Sequence, residues 1–258
     1  IPFSWSFKGT PVNVTGHKPT CVVTLDSTVV GNEGMIAIEK LIWGDGATES
    51  KLPTPDEVIA AVKAKGLTAF LDMAYQGFGQ GLAEDGAVIG KFAAAGLSFF
   101  VSTSFSKSFS LYGERVGALS VVCESKDEAA RVLSQLKLTI RTNYSNPPTH
   151  GAAVVSAVLN TPEWRALWEK ELGEMRTRIK AMRQALADGL KAAGVTQDMS
   201  FIVNQVGMFS YSGLSKEQMQ RLRSEFGVYG TDSGRLCVAA LNSRNIDHVC
   251  QAIAAVMK

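Results

Sequence analysis

The sequence predicts an α/β protein that has a parallel-rich sheet and, after it, a smaller C-terminal α+β domain. Short, strongly apolar segments typical of buried strands alternate with helical patterns in the middle of the chain. These strand segments are residues 67–72, 97–102 and 116–123. Beyond Gly194 the order changes to short strands mixed with helices. Strands that alternate with helices at this spacing favour parallel pairing with right-handed crossovers.

Composition narrows the class of protein further. The chain has 258 residues, 46% of them hydrophobic, and a formal net charge of +2. It is long enough for a sizeable core, and its near-neutral charge predicts no nucleic-acid partner. We expect no membrane span, since no apolar run approaches about 18 residues. The first ten residues do not resemble a signal peptide, so we expect a cytoplasmic protein.

Cysteine and histidine positions predict neither a disulfide framework nor a metal site. The four cysteines form no C-x-x-C pair, and the three histidines are equally dispersed; these residues are Cys21, Cys123, Cys237, Cys250, His17, His150 and His248. We therefore expect free thiols in a reducing compartment and no bound metal.

The helices of the first half have clear start and stop signals. Thr54 begins a capping box with Glu57, Pro55 occupies the first helical position, and Gly66 ends the helix. A second helix is predicted over residues 84–95, and a third over 126–138.

Residues 151–193 are predicted to be mostly helical, with a break at 160–162 where Thr161 caps and Pro162 begins the second segment. Arg and Lys alternate there with Ala, Met and Leu, and the charges are most simply interpreted as a solvated face. The C-terminal elements are strands at 208–213 and 235–241, a helix capped by Ser215 that reaches about 226, and a helix over 246–257. We divide the chain into an unassigned segment (1–53), a large-domain part (54–160) and a small domain with the long helix (161–258).

Hydroxyl side chains surround Lys107 in residues 102–110, just past the carboxyl end of a predicted strand, and Arg115 follows. Ligands bind at that edge of open α/β sheets, and hydroxyls with a guanidinium suit a phosphate. A lysine amine there can form a Schiff base. Asp72 ends the neighbouring strand, where a carboxylate needs a cation or donor nearby. Each of these features also has a purely structural interpretation. Residues 102–110 could be a solvated serine-rich loop, Asp72 could be a helix-capping or loop carboxylate, and Tyr75, three residues further on, could be a packed aromatic ring.

Five segments together resemble the aspartate and aromatic aminotransferases, which are class I pyridoxal-phosphate (PLP) enzymes. In chain order they are F-L-D-M-A-Y-Q-G-F-G (70–79), S-F-S-K-S-F-S-L-Y-G-E-R-V-G (104–117), R-T-N-Y-S-N-P-P (141–148), G-M-F-S-Y-S-G-L (207–214) and S-G-R-L-C-V-A (233–239). Their order and spacing are similar to the family's over residues 54–258. The resemblance implies a PLP-dependent transferase of fold type I.

The resemblance also implies a role for each matching residue. Lys107 would hold PLP as a Schiff base and transfer the substrate proton, Asp72 would keep the ring nitrogen protonated, and Tyr75 would donate to the phenolic oxygen. The phosphate ligands would be Ser104, Ser106 and Arg115. The substrate ligands would be Arg235 for the α-carboxylate, Arg141 for a distal carboxylate across a dimer interface, and Phe209 for the pocket wall.

The implied activity is transamination between an aromatic or acidic L-amino acid and a 2-oxo acid such as 2-oxoglutarate, in a homodimer. Residues 1 to about 50 depart from the family, and the N-P-T-G segment expected ahead of Asp72 is absent. Much of the family's N-terminal half is therefore expected to be missing. One alternative is a catalytically impaired homologue that dimerises or binds a partner. A second is a serine hydrolase of the S-x-x-K type, built on Ser104 and Lys107, although no K-T-G follows.

Overall fold

The computed structural model describes residues 53–258. Cys21, His17 and the rest of the unassigned N-terminal segment up to residue 52 lie outside the described residues. The chain divides into two compact units that alternate along the sequence. Among the described residues, unit 1 comprises residues 53–74, Ala87–Ser104 and Gly117–Pro148, and unit 2 comprises Tyr75–Gly86, Phe105–Val116 and Thr149–Lys258.

The elements follow the predicted order closely. The helices are α1 (Pro55–Lys65), α2 (Leu82–Ala94), α3 (Lys126–Asn143), α4 (His150–Asn160), α5 (Pro162–Ala192), α6 (Phe201–Asn204), α7 (Lys216–Phe226) and α8 (Ile246–Met257). The strands are β1 (Ala69–Met73), β2 (Phe99–Ser104), β3 (Gly117–Val122), β4 (Phe209–Tyr211) and β5 (Arg235–Cys237). A 3₁₀ turn over Val238–Ala240 replaces the last part of the strand predicted at 235–241.

Helix boundaries show why the capping signals were informative. Thr54 and Glu57 form the predicted capping box of α1, and Ser215 forms one with Gln218 at the start of α7. At Thr161 the prediction was wrong in part: Pro162 begins α5, but the Thr161 side chain makes no capping hydrogen bond. Helix α3 runs past the predicted end at residue 138, where Thr139 donates its hydroxyl to the Gln135 carbonyl.

The sheet of unit 1 has the order β1–β2–β3. Strands β1 and β2 are parallel, as predicted, with Asp72 opposite Ser102. Strand β3 is antiparallel to β2, which corrects the expectation of parallel pairing for residues 116–123. A parallel crossover requires a long connection that is usually a helix, whereas residues 105–116 form turns.

The core of unit 1 covers one face of this sheet. Side chains from α1 and α2, including Ile59 and Phe92, pack against Leu71, Phe99 and Val101. The opposite face is largely open among the described residues: Phe70 is 46% exposed there, and its register partner Phe100 lines a cavity with side chains of α3. The apolar sequence of 67–72 predicted burial on both faces, which is wrong for the described residues; β3 is likewise mostly exposed. An apolar sequence favours burial, but which face of a strand is buried depends on the helices that pack against the sheet.

Unit 2 packs around α5, a helix of 31 residues. Its buried stripe includes Leu172, Ile179, Leu186 and Leu190, which pack with α7, α8 and the loops between them. Arg183 lies in the same stripe and is only 2% exposed. The interpretation of the α5 charges as a solvated face is therefore wrong for this arginine, because backbone carbonyls inside unit 2 satisfy its guanidinium.

The three described cysteines are free thiols. Burial, together with the nearby charge of Asp247, raises the pKa of the Cys250 thiol to about 11. Between residues 53 and 258, no helix has the length and apolarity to cross a membrane. In the same range, no three His, Cys, Asp or Glu side chains are grouped so that they could ligate a metal.

The role of α5 as the centre of the unit 2 core predicts a large effect of truncating Leu190, which is fully buried. We expect Leu190→Ala to reduce the free energy of unfolding by about 2–5 kcal/mol, since it removes apolar burial and leaves a cavity. Leu167→Ala on the same helix is the matched control, because Leu167 is 54% exposed. Urea denaturation checks both variants, and equal losses would contradict the assigned core.

Candidate functional site

Unit 2 brings four of the predicted site residues into one contact series. The Lys107 Nζ atom lies 4.5 Å from the centroid of the Tyr75 ring. That ring meets Phe209 edge-on, with 5.9 Å between the ring centroids. The Arg235 guanidinium lies over the other ring, 4.7 Å from the Phe209 centroid. Residues that are far apart in the sequence thus form a continuous row.

The row has a primary amine at one end and a guanidinium at the other, joined by two aromatic rings. Each cation lies within the range of a favourable cation–π interaction, about 6 Å from the ring centroid. Tyr75 is 40% exposed, so the residue is partly accessible to a small molecule. A planar anionic ligand lying along this row would meet a nucleophilic amine and a carboxylate-binding fork.

Tyr75 is followed by a tight loop that the first turn of α2 holds in place. The Asp85 carboxylate accepts hydrogen bonds from the main-chain N–H groups of Gly77, Gly79 and Gln80, at 2.8–2.9 Å. Gly77 has φ 93°, and a Cβ atom there would lie 2.6 Å from Leu172. Only glycine fits both the backbone conformation and the space.

The segment with Lys107 is held from α5. The indole N–H of Trp168 donates to the Ser108 carbonyl at 2.7 Å, and its ring stacks on Phe109 with 4.6 Å between centroids. Ser110 and Arg115 adopt left-handed backbone conformations, with φ 56° and 52°. Such conformations cost about 1–2 kcal/mol each for non-glycine residues, so packing elsewhere in the segment must offset them.

Phe209 is placed by the buried arginine of α5. Arg183 donates from Nη2 to the carbonyls of Gly207 and Phe209, at 2.7 and 2.8 Å, and from Nη1 to the Ile202 carbonyl at 3.1 Å. Burial lowers the pKa of Arg183 from its ordinary value. The Gln205 side chain also holds β4, since its oxygen accepts a hydrogen bond from the main-chain N–H of Tyr211.

Arg235 is placed by its pairing with β4. Its register partner is Tyr211, and the preceding Gly234 carbonyl accepts from both the main-chain N–H and the hydroxyl of Ser212. Gly234 has φ 84°, and a Cβ atom would lie 2.9 Å from the Leu214 carbonyl oxygen. The close approach of these two chains therefore requires glycine directly before the arginine.

Asp72 lies in unit 1, on the open face of the sheet. Its Oδ1 atom accepts a hydrogen bond from the Ser102 hydroxyl at 2.7 Å, as the parallel register of β1 and β2 allows. Ser104 is the last residue of β2. Both polar side chains therefore lie toward the carboxyl ends of parallel strands, where the sequence placed them.

The other predicted residues lie at varied positions. Ser106 is buried in unit 2, and Arg115 is exposed, with its Nη1 atom donating to the Tyr112 carbonyl at 3.0 Å. Arg141 is an exposed residue in the last turn of α3, and its Nη1 atom donates to the Ser145 hydroxyl.

Sequence reasoning missed the residues that support the row. They are Asp85, Trp168 and Arg183, together with Arg176, which donates to the Gly77 carbonyl, and Arg178, which donates to the Ala239 carbonyl. A signal was present for two of the arginines. Arg176 and Arg183 occur at intervals of three and four residues from Leu172, Ile179 and Leu186, which places them on the buried stripe of α5. A cation at such a position requires internal acceptors, but the sequence does not identify them.

Comparisons with known proteins define the class. The sequence profile described as "Aminotransferase class I and II" matches residues 48–253. The chain therefore belongs to the class I and II aminotransferase family, which confirms the resemblance noted from its motifs.

Within that family the chain is similar to aspartate and aromatic aminotransferases. It is 63% identical over 201 residues to the aspartate aminotransferase of Pseudomonas aeruginosa, covering 78% of this chain and 50% of the relative. It is 56% identical over 202 residues to the aromatic-amino-acid aminotransferase of Escherichia coli K12, covering 78% and 51%. The chain thus spans about half the length of the curated relatives it matches.

The fold gives the same result. A crystal structure of the aromatic-amino-acid aminotransferase of Burkholderia pseudomallei, covalently bound to pyridoxal phosphate, matches with a TM-score of 0.78 at 63% identity. The match covers 81% of this chain and 53% of that one. The predicted fold class, an α/β fold of the PLP-dependent aminotransferases, is confirmed, with a mixed sheet in the described residues.

The loop after Tyr75 provides a test of the site's construction. We expect Asp85→Ala to speed hydrogen exchange at Gly77, Gly79 and Gln80, because their N–H groups lose their acceptor. Stability should fall by about 1–3 kcal/mol. Asp188→Ala is the control, since Asp188 accepts from the side chain of Gln184 in an exposed helical contact. Hydrogen exchange with mass spectrometry measures both, and unchanged exchange in the loop would contradict the assignment.

Proposed function

We propose that this protein is a PLP-dependent aminotransferase that exchanges an amino group between an aromatic or acidic L-amino acid and a 2-oxo acid. The observation that supports it most directly is the row of Lys107, Tyr75, Phe209 and Arg235 within unit 2. These four residues belong to four separate motifs of the sequence. Lys107 has the amine, and Arg235 the carboxylate-binding guanidinium, that transamination needs.

The donor set of the described residues fits PLP. Lys107 offers an amine to the cofactor aldehyde, and Tyr75 offers a phenolic hydroxyl beside that amine. Asp72 offers a carboxylate on an open sheet face, suited to a protonated pyridine nitrogen. For the phosphate we propose Ser104, Ser106 and Arg115, a set of two hydroxyls and one guanidinium.

When bound, PLP supplies an electron-withdrawing ring that stabilises negative charge at the substrate Cα. The protein's part is to bind, orient and move protons. We propose that Lys107 anchors the cofactor and then transfers the proton at the substrate Cα. Asp72 keeps a proton on the ring nitrogen, since a carboxylate favours the charged form of its partner. Tyr75 donates a hydrogen bond to the phenolic oxygen.

The substrate roles follow from charge and shape. Arg235 binds the α-carboxylate as a planar fork, and Phe209 forms the adjoining wall. We propose that Arg141 binds the distal carboxylate of acidic substrates such as 2-oxoglutarate across the interface of a homodimer. Aromatic substrates then require that arginine to move away.

We also propose a cytoplasmic location and a division of the chain at residues 53 and 160.

Covalent attachment of the cofactor tests the proposal directly. We expect the chain incubated with PLP to turn yellow, and borohydride to fix the cofactor mass on the peptide that contains Lys107. Lys107→Ala should lose this adduct and fall at least about 10³-fold in turnover. The exposed Lys137→Ala on α3 should retain both. Multiple turnover by Lys107→Ala, or an adduct on another lysine, would refute the assignment.

The α-carboxylate role of Arg235 has its own test. We expect Arg235→Ala to raise the KM for the amino acid about 10- to 100-fold, since a charge-assisted hydrogen bond is worth about 1.5–3 kcal/mol. Arg235→Lys should recover little, because an ammonium cannot bind a carboxylate bidentately. The control is Arg223→Ala, which removes an exposed ion pair with Asp232. Steady-state kinetics decide, and a KM unchanged in Arg235→Ala would exclude the role.

A second candidate is a catalytically impaired homologue that dimerises or binds a partner. Its supporting observation is that the chain spans about half the length of its curated relatives. The same absorbance spectrum separates the two proposals. A chain that remains colourless with excess PLP favours the second, and spectral changes on adding L-tyrosine or L-aspartate favour the first.

A further inference from the structure

Helix α5 donates a side-chain hydrogen bond to each of the four segments that contain the contact series. Trp168 donates to the carbonyl of Ser108, next to Lys107. Arg176 donates at 2.8 Å to the carbonyl of Gly77, two residues after Tyr75. Arg183 donates to the carbonyl of Phe209 itself, and Arg178 to that of Ala239 in the turn after β5. All four donors belong to one rigid element.

The acceptors distinguish this arrangement from ordinary surface pairing. Each is a main-chain carbonyl outside α5. Besides the Phe209 carbonyl, the buried Arg183 also satisfies the carbonyls of Ile202 and Gly207. Two of the segments are short strands: β4 and β5 have three residues each and, among the described residues, pair only with one another in the sheet. A pair of strands this short is marginal by itself.

We propose that α5 is the alignment frame of the site: Arg183 positions Phe209 and, through the β4–β5 pair, Arg235, while Trp168 positions Lys107. The proposal rests on the function proposed above. Arg183 acts on substrate binding through other residues, and Trp168 acts on the cofactor amine. The two positioning residues should therefore affect different steps, which a general loss of stability would not do.

The experiment compares Arg183→Met with Trp168→Phe in the full chain. Methionine retains most of the arginine's length without its donors, and phenylalanine retains a ring to stack on Phe109 without the indole N–H. Three measurements are made on each variant. Hydrogen exchange is followed in the protein without PLP, and steady-state KM and the dissociation constant for PLP are then measured.

For Arg183→Met we expect exchange in residues 205–211 to rise about tenfold, with α7 unchanged, and the KM for the amino acid to rise about tenfold. PLP affinity should stay within about twofold. For Trp168→Phe we expect the reverse pattern. Exchange should rise in residues 105–111 and the PLP dissociation constant should rise about fivefold, with little change in KM.

Two further variants keep the result interpretable. Leu190→Ala reduces stability through the same helix but touches none of the four segments' carbonyls, so it should leave KM unchanged. Arg183→Lys can reach fewer acceptors than the guanidinium, so it should give an intermediate KM, and it replaces Arg183→Met if that variant does not fold.

The alignment role is overturned if both variants change the same parameters, if Leu190→Ala raises KM as much as Arg183→Met, or if exchange at 205–211 is unaffected. Failure of the proposed function has a different signature. In that case the unaltered chain forms no PLP adduct and shows no turnover. The exchange measurements without PLP then still decide whether Arg183 and Trp168 hold their segments.

Discussion

The hydrogen bonds from α5 to the surrounding main chain are the constraint on which unit 2 depends. Carbonyl groups in short strands and loops need donors when they leave water, and an unpaired buried carbonyl is costly. Arg183 meets this need for three carbonyls at once. At about 1.5 Å per residue, Trp168 and Arg183 lie roughly 22 Å apart along one helix. A single rigid element therefore sets the relative positions of distant loops.

This arrangement explains how segments with little regular secondary structure form a continuous row of side chains. The residues of the row belong to a loop, a turn-rich segment and two three-residue strands. Their own secondary structure is too short to fix the positions of their side chains. Glycines at 77 and 234 let these segments approach their neighbours closely, and Asp85 ties down the loop after Tyr75. Order comes from tertiary contacts.

Unit 1 uses a different device. The regular register of β1 and β2 places Asp72 beside Ser102, so main-chain pairing between strands, and not side-chain donors from a helix, positions the carboxylate. The helices α1 and α2 pack on the other face. This leaves Asp72 on a face that is accessible among the described residues.

The sequence alone determined the order of the elements, the capping of α1 and α7, and the identity of the family. These features depend on neighbouring residues and short motifs, so local patterns contain them. It also named all four residues of the row. Three features became visible only in the folded chain: β3 runs antiparallel, one sheet face stays open among the described residues, and Arg183 points inward. Each of these features depends on contacts with distant segments: the strand that β3 pairs with, the helices that cover the sheet, and the carbonyls that accept from Arg183. Local sequence patterns do not contain that information.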